Sequence, residues 1–285
     1  MRVISPKNKS RRLLGVISEN KFYENIATMK LLAKKEVGQN FLIDASVCHR
    51  IVEELCPEDG SILEIGCGPG SLTYALSSLP NEIDAIDIDE GMLAKVVGDF
   101  EELPNVHPKY GNAAEYDYSA YSYIVGNLPY YITSLILERV LLGAKKCKRM
   151  VFMVQKEAEM RILSKPGTKE YGPLCILLAL SGQAKHLFKV SRQCFVPVPH
   201  VESSVFLVEM NLEANKDDVA EAYRLACKLF LTRRKTIWNG LKSLVSDETK
   251  GRELLQETGL SPSLRPEELT PEQYLRLAIA YKRVK

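Results

Sequence analysis

Long apolar runs, paired cysteines and an excess of one charge are all missing from this sequence. Its most apolar stretch, residues 174–180, is far too short to span a bilayer, and residues 13–17 are too short for the apolar part of a secretory signal. The seven cysteines are scattered without a CxxC pair, and the four histidines do not cluster near them. We therefore expect free thiols, no disulfide framework, no metal site, no membrane association and a cytoplasmic protein.

Charge is balanced over the whole chain but not along it. Lys and Arg number 38 against 36 Asp and Glu, which gives a formal net charge of +2. Residues 1–35 nevertheless hold nine basic and only two acidic side chains. We treat residues 1–33 as a basic N-terminal arm, for which three interpretations stay open: a solvated tail, an organelle-targeting segment or a phosphate-binding arm.

Alternating strand and helix patterns predict an α/β fold with a parallel sheet. Residues 61–65 and 83–88 are typical of short buried strands, and the glycine-rich turn and helical pattern between them complete a βαβ unit. The other predicted elements are helices at 44–55 and 134–142, strands at 123–126, 149–154 and 201–210, and C-terminal helices at 217–231, 233–246, 250–258 and 271–283. We therefore expect a sheet domain over residues 34–210 and a small all-helical domain over residues 211–285.

The turn after the first predicted strand carries three alternating glycines, Gly66, Gly68 and Gly70, which let the backbone approach a ligand closely. Asp87 ends the next strand, where a carboxylate can accept both ribose hydroxyls of a nucleoside. A dinucleotide site would have glycine in place of Ser71, and the acidic Glu64 does not suit a diphosphate. The pattern resembles the cofactor loop of S-adenosylmethionine-dependent methyltransferases, with a nicotinamide site and an ordinary turn as the alternatives.

The strand at residues 123–126 is followed by Asn127-Leu128-Pro129-Tyr130, which is either a simple turn or a catalytic motif. The exocyclic amine of adenine is a poor nucleophile, because its lone pair is delocalised into the ring. The Asn127 side-chain oxygen and the Leu128 carbonyl could accept its hydrogens, and Tyr130 offers a face for a splayed-out base. Such catalysis depends on orientation and preorganised acceptors and needs no general base.

These motifs, together with several others in the same order, resemble the ribosomal RNA adenine N6,N6-dimethyltransferase family, and most of all its small-subunit members. The further matching segments are 34–44 (KKEVGQNFLID), 195–203 (FVPVPHVES), 233–237 (RRKTI) and 265–270 (RPEELT). The match runs from about residue 34 to the end of the chain. The resemblance implies a Rossmann-like class I methyltransferase domain with a helical C-terminal RNA-binding domain, and S-adenosyl-L-methionine as cofactor.

The resemblance also implies roles for individual residues. Cofactor contacts fall on Asn40, Leu42, Gly66, Asp87, Asn112 and Asn127. The catalytic set is Asn127, Leu128, Tyr130 and Phe195, with Phe195 placed to sandwich the target base opposite Tyr130; core packing is the alternative for Phe195. Two positions depart from the family pattern, because Asp87 stands where glutamate is usual and Asn112 where aspartate is usual.

The implied substrate is a pair of adjacent adenosines in a hairpin loop near the 3′ end of small-subunit ribosomal RNA, methylated in the immature 30S-type subunit by a monomeric enzyme. Clustered cations suggest where RNA phosphates bind: Lys145, Lys146, Lys148 and Arg149 in one cluster, and Arg233, Arg234 and Lys235 in another. Two alternatives stay open. One is the related large-subunit enzyme of macrolide resistance, and the other is a non-catalytic RNA-binding assembly factor on the same fold.

Overall fold

The computed structural model describes residues 18–29 and 39–284, and within these ranges a seven-stranded sheet forms the centre of the molecule. Its strands lie in the order β4-β3-β2-β5-β6-β9-β7. They are β2 (Ile62–Ile65), β3 (Ile83–Asp87), β4 (Val106–Tyr110), β5 (Tyr123–Asn127), β6 (Arg149–Gln155), β7 (Gly182–Val190) and β9 (Ser203–Met210). Two shorter strands, β1 (Phe41–Leu42) and β8 (Phe195–Val196), pair separately as an antiparallel ribbon.

Five strands are parallel and therefore end at the same edge of the sheet. β2 pairs in parallel with β3 and β5, and the parallel pairing continues to β4 on one side and to β6 on the other. Only β9 runs antiparallel, between β6 and β7. We call the edge at which β2 to β6 end the carboxyl edge and the opposite one the amino edge. In open α/β sheets, ligands bind outside the carboxyl ends of the strands.

Eleven α-helices lie within the described ranges and surround the sheet or continue beyond it. They are α1 (Glu19–Ala27), α2 (Ala45–Leu55), α3 (Ser71–Leu76), α4 (Glu90–Asp99), α5 (Thr133–Gly143), α6 (Lys156–Ile162), α7 (Pro173–Ser181), α8 (Lys216–Phe230), α9 (Ile237–Leu241), α10 (Glu248–Thr258) and α11 (Pro271–Tyr281). None of these helices is long and apolar enough to cross a membrane. The predicted α/β architecture with a helical C-terminal region is confirmed.

Two strands of the seven-stranded sheet, β4 and β7, were not predicted from the sequence, because both lie at the edges of that sheet. β4 contains Pro108, which lacks an N–H and is tolerated only where no partner strand needs it. β7 alternates between exposed and covered positions and carries several polar residues, as an edge strand does. The predicted helix at 233–246 is also shorter than expected, because Thr236 caps α9 and residues 233–235 form a turn before it.

The C-terminal helices have their own hydrophobic core, but this core also includes α7. Cys175 and Ile176 pack with α8 and α11, whereas Leu177 and Leu178 on the same helix pack against the sheet. α7 therefore belongs to both cores, and the helical unit takes in residues from before position 211, where the sequence analysis placed the boundary.

Part of the predicted basic arm packs into the sheet domain. α1 buries Phe22, Tyr23 and Ile26, and the Phe22 ring lies 4.6 Å from the ring of Tyr74 on α3. The apolar spacing of these three residues, rather than the basic charge of the segment, decides where the helix lies. Residues 1–17 and 30–38, which hold most of the arm and the first part of the 34–44 motif, lie outside the described residues.

Candidate active site

A cavity of about 400 Å³ opens at the carboxyl edge, between the loops that follow β2, β3, β4 and β5. It brings together all of the predicted cofactor and catalytic residues except Phe195, and none of the predicted RNA-binding residues. The predicted residues that line it are Asn40, Leu42, Gly66, Asp87, Asn112, Asn127, Leu128 and Tyr130. The three separate motifs of the sequence therefore form one site.

The glycine loop lines the cavity with backbone that other residues would not adopt. Gly66, Gly68 and Gly70 have φ angles of +72°, +51° and +92°. A Cβ atom on Gly70 would also lie 2.9 Å from the ring of Phe100 on the far side of the loop. Both the backbone conformation and the packing behind the loop therefore require glycine here.

Asp87 holds the glycine loop and the start of α4 through its carboxylate. One oxygen accepts a hydrogen bond from the Gly68 N–H at 2.8 Å, and the other accepts from the Asp89 N–H at 2.8 Å. Burial raises the pKa of Asp87 above its usual value, although these two hydrogen bonds act in the opposite direction. Each carboxylate oxygen has a second lone pair, so both remain able to accept a ribose hydroxyl.

Glu64 is a buried carboxyl group that faces the same cavity, with only 1% of its surface exposed. Its oxygen accepts a hydrogen bond from the Thr73 hydroxyl at 2.6 Å. Burial raises the pKa of Glu64 to about 8, and the charge of Asp87 adds to this effect. A cationic group entering the cavity would favour the ionised carboxylate, whereas a diphosphate would be repelled by it, in line with the expectation that Glu64 does not suit a diphosphate.

Ser71 has a function that the sequence analysis missed. Its hydroxyl donates to the Leu42 carbonyl at 2.5 Å, and its own carbonyl accepts a hydrogen bond from the Tyr23 hydroxyl at 2.8 Å. These bonds join α1, the glycine loop and the strand that carries Leu42. The sequence showed only that Ser71 is not glycine; no local pattern indicates a partner 29 residues away.

Asn112 lies in the loop after β4, where its side-chain oxygen accepts a hydrogen bond from the Ala114 N–H at 3.0 Å. This Asx turn fixes the orientation of the amide at the cavity wall. The oxygen has a second lone pair and can accept another donor, so asparagine can perform the acceptor role expected of the usual aspartate.

Asn127 ends β5 with its side-chain oxygen buried and without a hydrogen-bond donor. The backbone around it is tightly held, since the Leu128 N–H donates to the Met153 carbonyl at 3.0 Å and the Thr133 hydroxyl donates to the Pro129 carbonyl at 3.0 Å. A buried acceptor without a donor costs free energy, about 1–3 kcal/mol. Such an atom at a cavity wall is typical of a site that is completed by a ligand.

Tyr130 is held in place by the sheet. Its hydroxyl lies 3.0 Å from the hydroxyl of Ser203, the first residue of β9. Burial raises the pKa of Tyr130, so the phenol stays neutral. The hydrogen bond fixes the ring at the cavity wall, where its face can contact a planar ligand.

Phe195 does not line the cavity, contrary to the prediction that it sandwiches the target base. Its side chain is fully buried with 0% exposure, and it pairs with Leu42 in the β1–β8 ribbon. Because the ring fills the core beneath this ribbon, it offers no face to a base in this structure. The alternative interpretation, core packing, is the one that the structure favours.

The first predicted RNA-binding cluster lies at the amino edge, away from the cavity. Lys145, Lys146 and Lys148 precede β6, whose seven residues separate the two edges by roughly 20 Å. Arg149 donates to the Leu55 carbonyl at 3.3 Å and pairs with Glu209 at 3.4 Å. These partners make Arg149 a structural residue rather than a free phosphate ligand.

In the second predicted cluster, residues 233–235, one cation has a structural role and the other two are exposed. Arg233 donates to the carbonyls of Lys169 and Thr168 at 2.7 and 3.0 Å, so its guanidinium ties the loop before α7 to the helical region. Arg234 and Lys235 are exposed. Only these two therefore remain as candidate phosphate contacts in this cluster.

Neither a metal site nor a disulfide is found in the described ranges. No group of three or more His, Cys, Asp or Glu side chains there is arranged to hold a metal ion. All seven cysteines are free thiols, and burial raises the pKa of Cys48 to about 12 and of Cys194 to about 11.

Comparison with solved structures identifies the fold. A dimethyladenosine transferase from Plasmodium falciparum superposes with a TM-score of 0.75 and 23% identity, covering 84% of this chain and 96% of that one. The 23S rRNA methyltransferase ErmE superposes with a TM-score of 0.63 and 22% identity, covering 85% and 99%. These two matches show that the chain has the Rossmann-like α/β fold of class I methyltransferases.

Comparison with sequences identifies the family. A family model described as ribosomal RNA adenine dimethylase matches residues 30–283. A protein named ribosomal RNA small subunit methyltransferase A from Malacoplasma penetrans is 33% identical over 267 residues, covering 92% of this chain and 97% of that protein. A protein of the same name from Mesoplasma florum is 34% identical over 269 residues, covering 87% and 98%. The chain belongs to the ribosomal RNA adenine dimethylase family.

Proposed function

We propose that this protein transfers methyl groups from S-adenosylmethionine to the N6 amines of two adjacent adenosines in a loop near the 3′ end of small-subunit ribosomal RNA, giving N6,N6-dimethyladenosine during assembly of the 30S-type subunit. The observation that supports the proposal most directly is the Asn127 side-chain oxygen, which is buried without a hydrogen-bond donor on a residue that lines the cavity. The relatives named as small-subunit methyltransferases support the choice of RNA.

The residues present fit the cofactor at one end of the cavity. Asp87 lies at the end of β3, where its free lone pairs can accept the ribose hydroxyls, while the Gly66–Gly70 backbone leaves room for close approach. Glu64 faces the position of a cationic amino-acid tail, and Asn112 can accept from the adenine amine of the cofactor. Asn40 and Leu42 also line the cavity. The bound cofactor supplies a methyl group on a sulfonium centre.

The other end of the cavity fits an adenine amine. Asn127 and the Leu128 carbonyl can accept the two N6 hydrogens, which pulls the nitrogen towards a tetrahedral geometry and frees its lone pair. Both acceptors are fixed before the substrate arrives, because the backbone of this turn is held by Met153 and Thr133. Such preorganised acceptors stabilise the transition state without a general base, and the proton leaves to water after transfer.

Tyr130 would bind the target base by stacking. Its ring is oriented by Ser203 and lies on the cavity wall next to Asn127. Stacking of a base on an aromatic side chain contributes about 1–3 kcal/mol. We assign further RNA contacts to Arg234 and Lys235 in the helical region and none to the cluster at the amino edge. We propose that the protein acts as a monomer in the cytoplasm, where its thiols would stay reduced.

Mapping the methylated nucleotides tests the proposal. Immature small subunits and, in a separate reaction, large-subunit RNA are treated with the purified protein and S-adenosylmethionine, and each RNA is digested and analysed by mass spectrometry. The expected product is a pair of adjacent dimethyladenosines near the 3′ end. If methylation is confined to large-subunit RNA, the substrate is instead that of the macrolide-resistance enzymes. A folded protein that binds the cofactor but methylates neither RNA would contradict an enzymatic function.

A further inference from the structure

Three cations converge on one carboxylate at the carboxyl edge, outside the clusters that the sequence indicated. Lys156 begins α6 and donates to the Glu202 carboxylate at 3.0 Å, while its backbone N–H donates to the Glu202 carbonyl at 3.0 Å. Arg192 follows β7 and donates to the His200 carbonyl at 3.3 Å. The hydrogen bond from Lys156 and the charges of Lys156, Lys189 and Arg192 lower the pKa of Glu202. We call these four residues the Glu202 cluster.

The Glu202 cluster lies beside the residue proposed to hold the target base. Ser203, which bonds to the Tyr130 hydroxyl, directly follows Glu202 in the chain. In the sheet, Ser203 is in register with Gln155 on one side and with Val190 on the other. The neighbours of these two residues are Lys156 and Lys189. Lys156 and Lys189 are therefore each one residue, about 3.3 Å along the backbone, from a register partner of Ser203, and Arg192 follows Val190 by two residues.

The charge of the cluster is not explained by the stability of the fold. Three cations face one carboxylate, and Lys189 and Arg192 are exposed. The Lys156–Glu202 pair is also open to water, with side chains 39% and 49% exposed, and exposed ion pairs contribute little to stability. Like charges gathered on one surface repel each other unless an anion binds between them.

We infer that Lys189 and Arg192, joined by Lys156, bind the phosphates that flank the adenosine stacked on Tyr130. The inference rests on the proposed function, since it assumes that an RNA base occupies the Tyr130 face. A phosphate presented to the cluster would compete with Glu202 for Lys156. Glu202 therefore acts as an internal competitor that holds the lysine in position when RNA is absent and weakens phosphate binding when RNA is present.

Two double variants with the same change in net charge test this inference. Lys189→Ala/Arg192→Ala removes two exposed cations beside the cavity, and Lys145→Ala/Lys146→Ala removes two exposed cations at the amino edge. RNA affinity is measured by fluorescence anisotropy with a small-subunit hairpin across a range of salt concentrations. The first variant should lose up to about two phosphate equivalents from its logarithmic salt slope. The matched control should keep the wild-type slope.

A single variant separates phosphate binding from a structural role. Glu202→Gln keeps the shape of the side chain and removes the competing charge, so RNA affinity should rise several-fold. If Glu202 only stabilised the sheet edge, the same change would lower the melting temperature and weaken binding. In the Lys189→Ala/Arg192→Ala variant, the KM for RNA should rise by a larger factor than kcat falls.

The outcomes distinguish this inference from the proposed function. If the wild type methylates adenosine but Lys189→Ala/Arg192→Ala keeps the wild-type salt slope, or loses no more than the amino-edge control, the inference is overturned and the enzymatic function stands. If the wild type binds the hairpin with a salt slope that falls in this variant but methylates no adenosine, the phosphate site stands and the proposed reaction fails.

Discussion

The two edges of the central sheet use the same kinds of side chain for different purposes. At the amino edge, the Asn81 side chain donates to the carbonyls of Glu58 and Gly60 at 2.7 and 2.8 Å. Asn105 donates to the carbonyl of Asn81 at 3.2 Å, and the Tyr123 hydroxyl accepts from the Glu58 N–H at 2.9 Å. These side chains satisfy the backbone groups that precede the strands, so the amino edge is completed by the chain itself.

At the carboxyl edge, by contrast, polar groups remain available for a ligand. The Asn127 oxygen is buried without a donor, and Glu64 is buried with its pKa raised to about 8. Each of these groups costs stability in the absence of a ligand. The carboxyl edge is therefore less stable than the amino edge, because its polar groups are kept available for binding and catalysis. This difference can be tested by substituting equivalent residues at both edges.

The largest expected effect is that of Asn127→Ala on methyl transfer. Because the Asn127 oxygen accepts a hydrogen bond that strengthens in the transition state, its loss should lower the single-turnover rate on the order of a hundredfold or more. RNA affinity should change little. The assay uses saturating S-adenosylmethionine, since the family resemblance also places Asn127, which lines the cavity, among the cofactor contacts. A near-normal rate would leave the turn at residues 127–130 with a structural role only.

A smaller effect is expected for cofactor binding when Asp87 is changed. Asp87→Ala removes the acceptor for the ribose hydroxyls and should weaken S-adenosylmethionine binding roughly tenfold or more, as measured by calorimetry. Asp84 on the same strand is a matched control, because its carboxylate accepts from Lys109 and Tyr121 and does not line the cavity. Equal affinities in the wild type and Asp87→Ala would remove Asp87 from the site.

The raised pKa of Glu64 predicts a pH dependence of stability. Burial raises this pKa from 4.5 to about 8, so between these values the folded protein holds a proton that the unfolded chain has lost. The free energy of unfolding should therefore fall as the pH rises through this window, by up to about 1.4 kcal/mol per pH unit. Glu64→Gln should flatten this decline in denaturant titrations. The exposed Glu253→Gln should not, and equal slopes in all three proteins would show that Glu64 is ionised in the folded state.

The smallest expected effect concerns the cations of the helical region. Arg234→Ala/Lys235→Ala should flatten the logarithmic salt dependence of RNA binding by up to about two phosphate equivalents. Arg233→Ala should instead lower the melting temperature and leave the salt slope unchanged, because its guanidinium bonds to the carbonyls of residues 168 and 169. A salt slope that falls only in Arg233→Ala would reverse these two assignments.

The sequence was sufficient to predict what depends on neighbours in the chain. The glycine loop, Asp87 and the Asn127–Tyr130 turn were predicted because each is a short motif beside a strand end. Parallel strands necessarily bring their carboxyl ends together, so one site follows from these three motifs and the strand pattern.

Contacts between distant segments could not be predicted in this way. A phenylalanine before a proline-rich segment is equally compatible with core packing and base stacking, and only the tertiary fold buries Phe195. The charges of Arg149 and Arg233 give no information about which carbonyls lie near them. The Glu202 cluster combines Lys156 with a segment that lies more than 30 residues further along the chain, so no local pattern indicates it.

The most direct test of the comparison between the edges is equilibrium unfolding of Asn127→Ala and Asn81→Ala beside the wild type. Asn81→Ala removes two hydrogen bonds that a buried side chain donates to the carbonyls of Glu58 and Gly60, and it should lower the free energy of unfolding by about 1–3 kcal/mol. Asn127→Ala removes a buried oxygen that has no donor, so its free energy of unfolding should equal or exceed that of the wild type. If Asn127→Ala is destabilised as much as Asn81→Ala, the Asn127 side chain stabilises the fold. That result would contradict the claim that the Asn127 oxygen stays without a partner until the substrate binds.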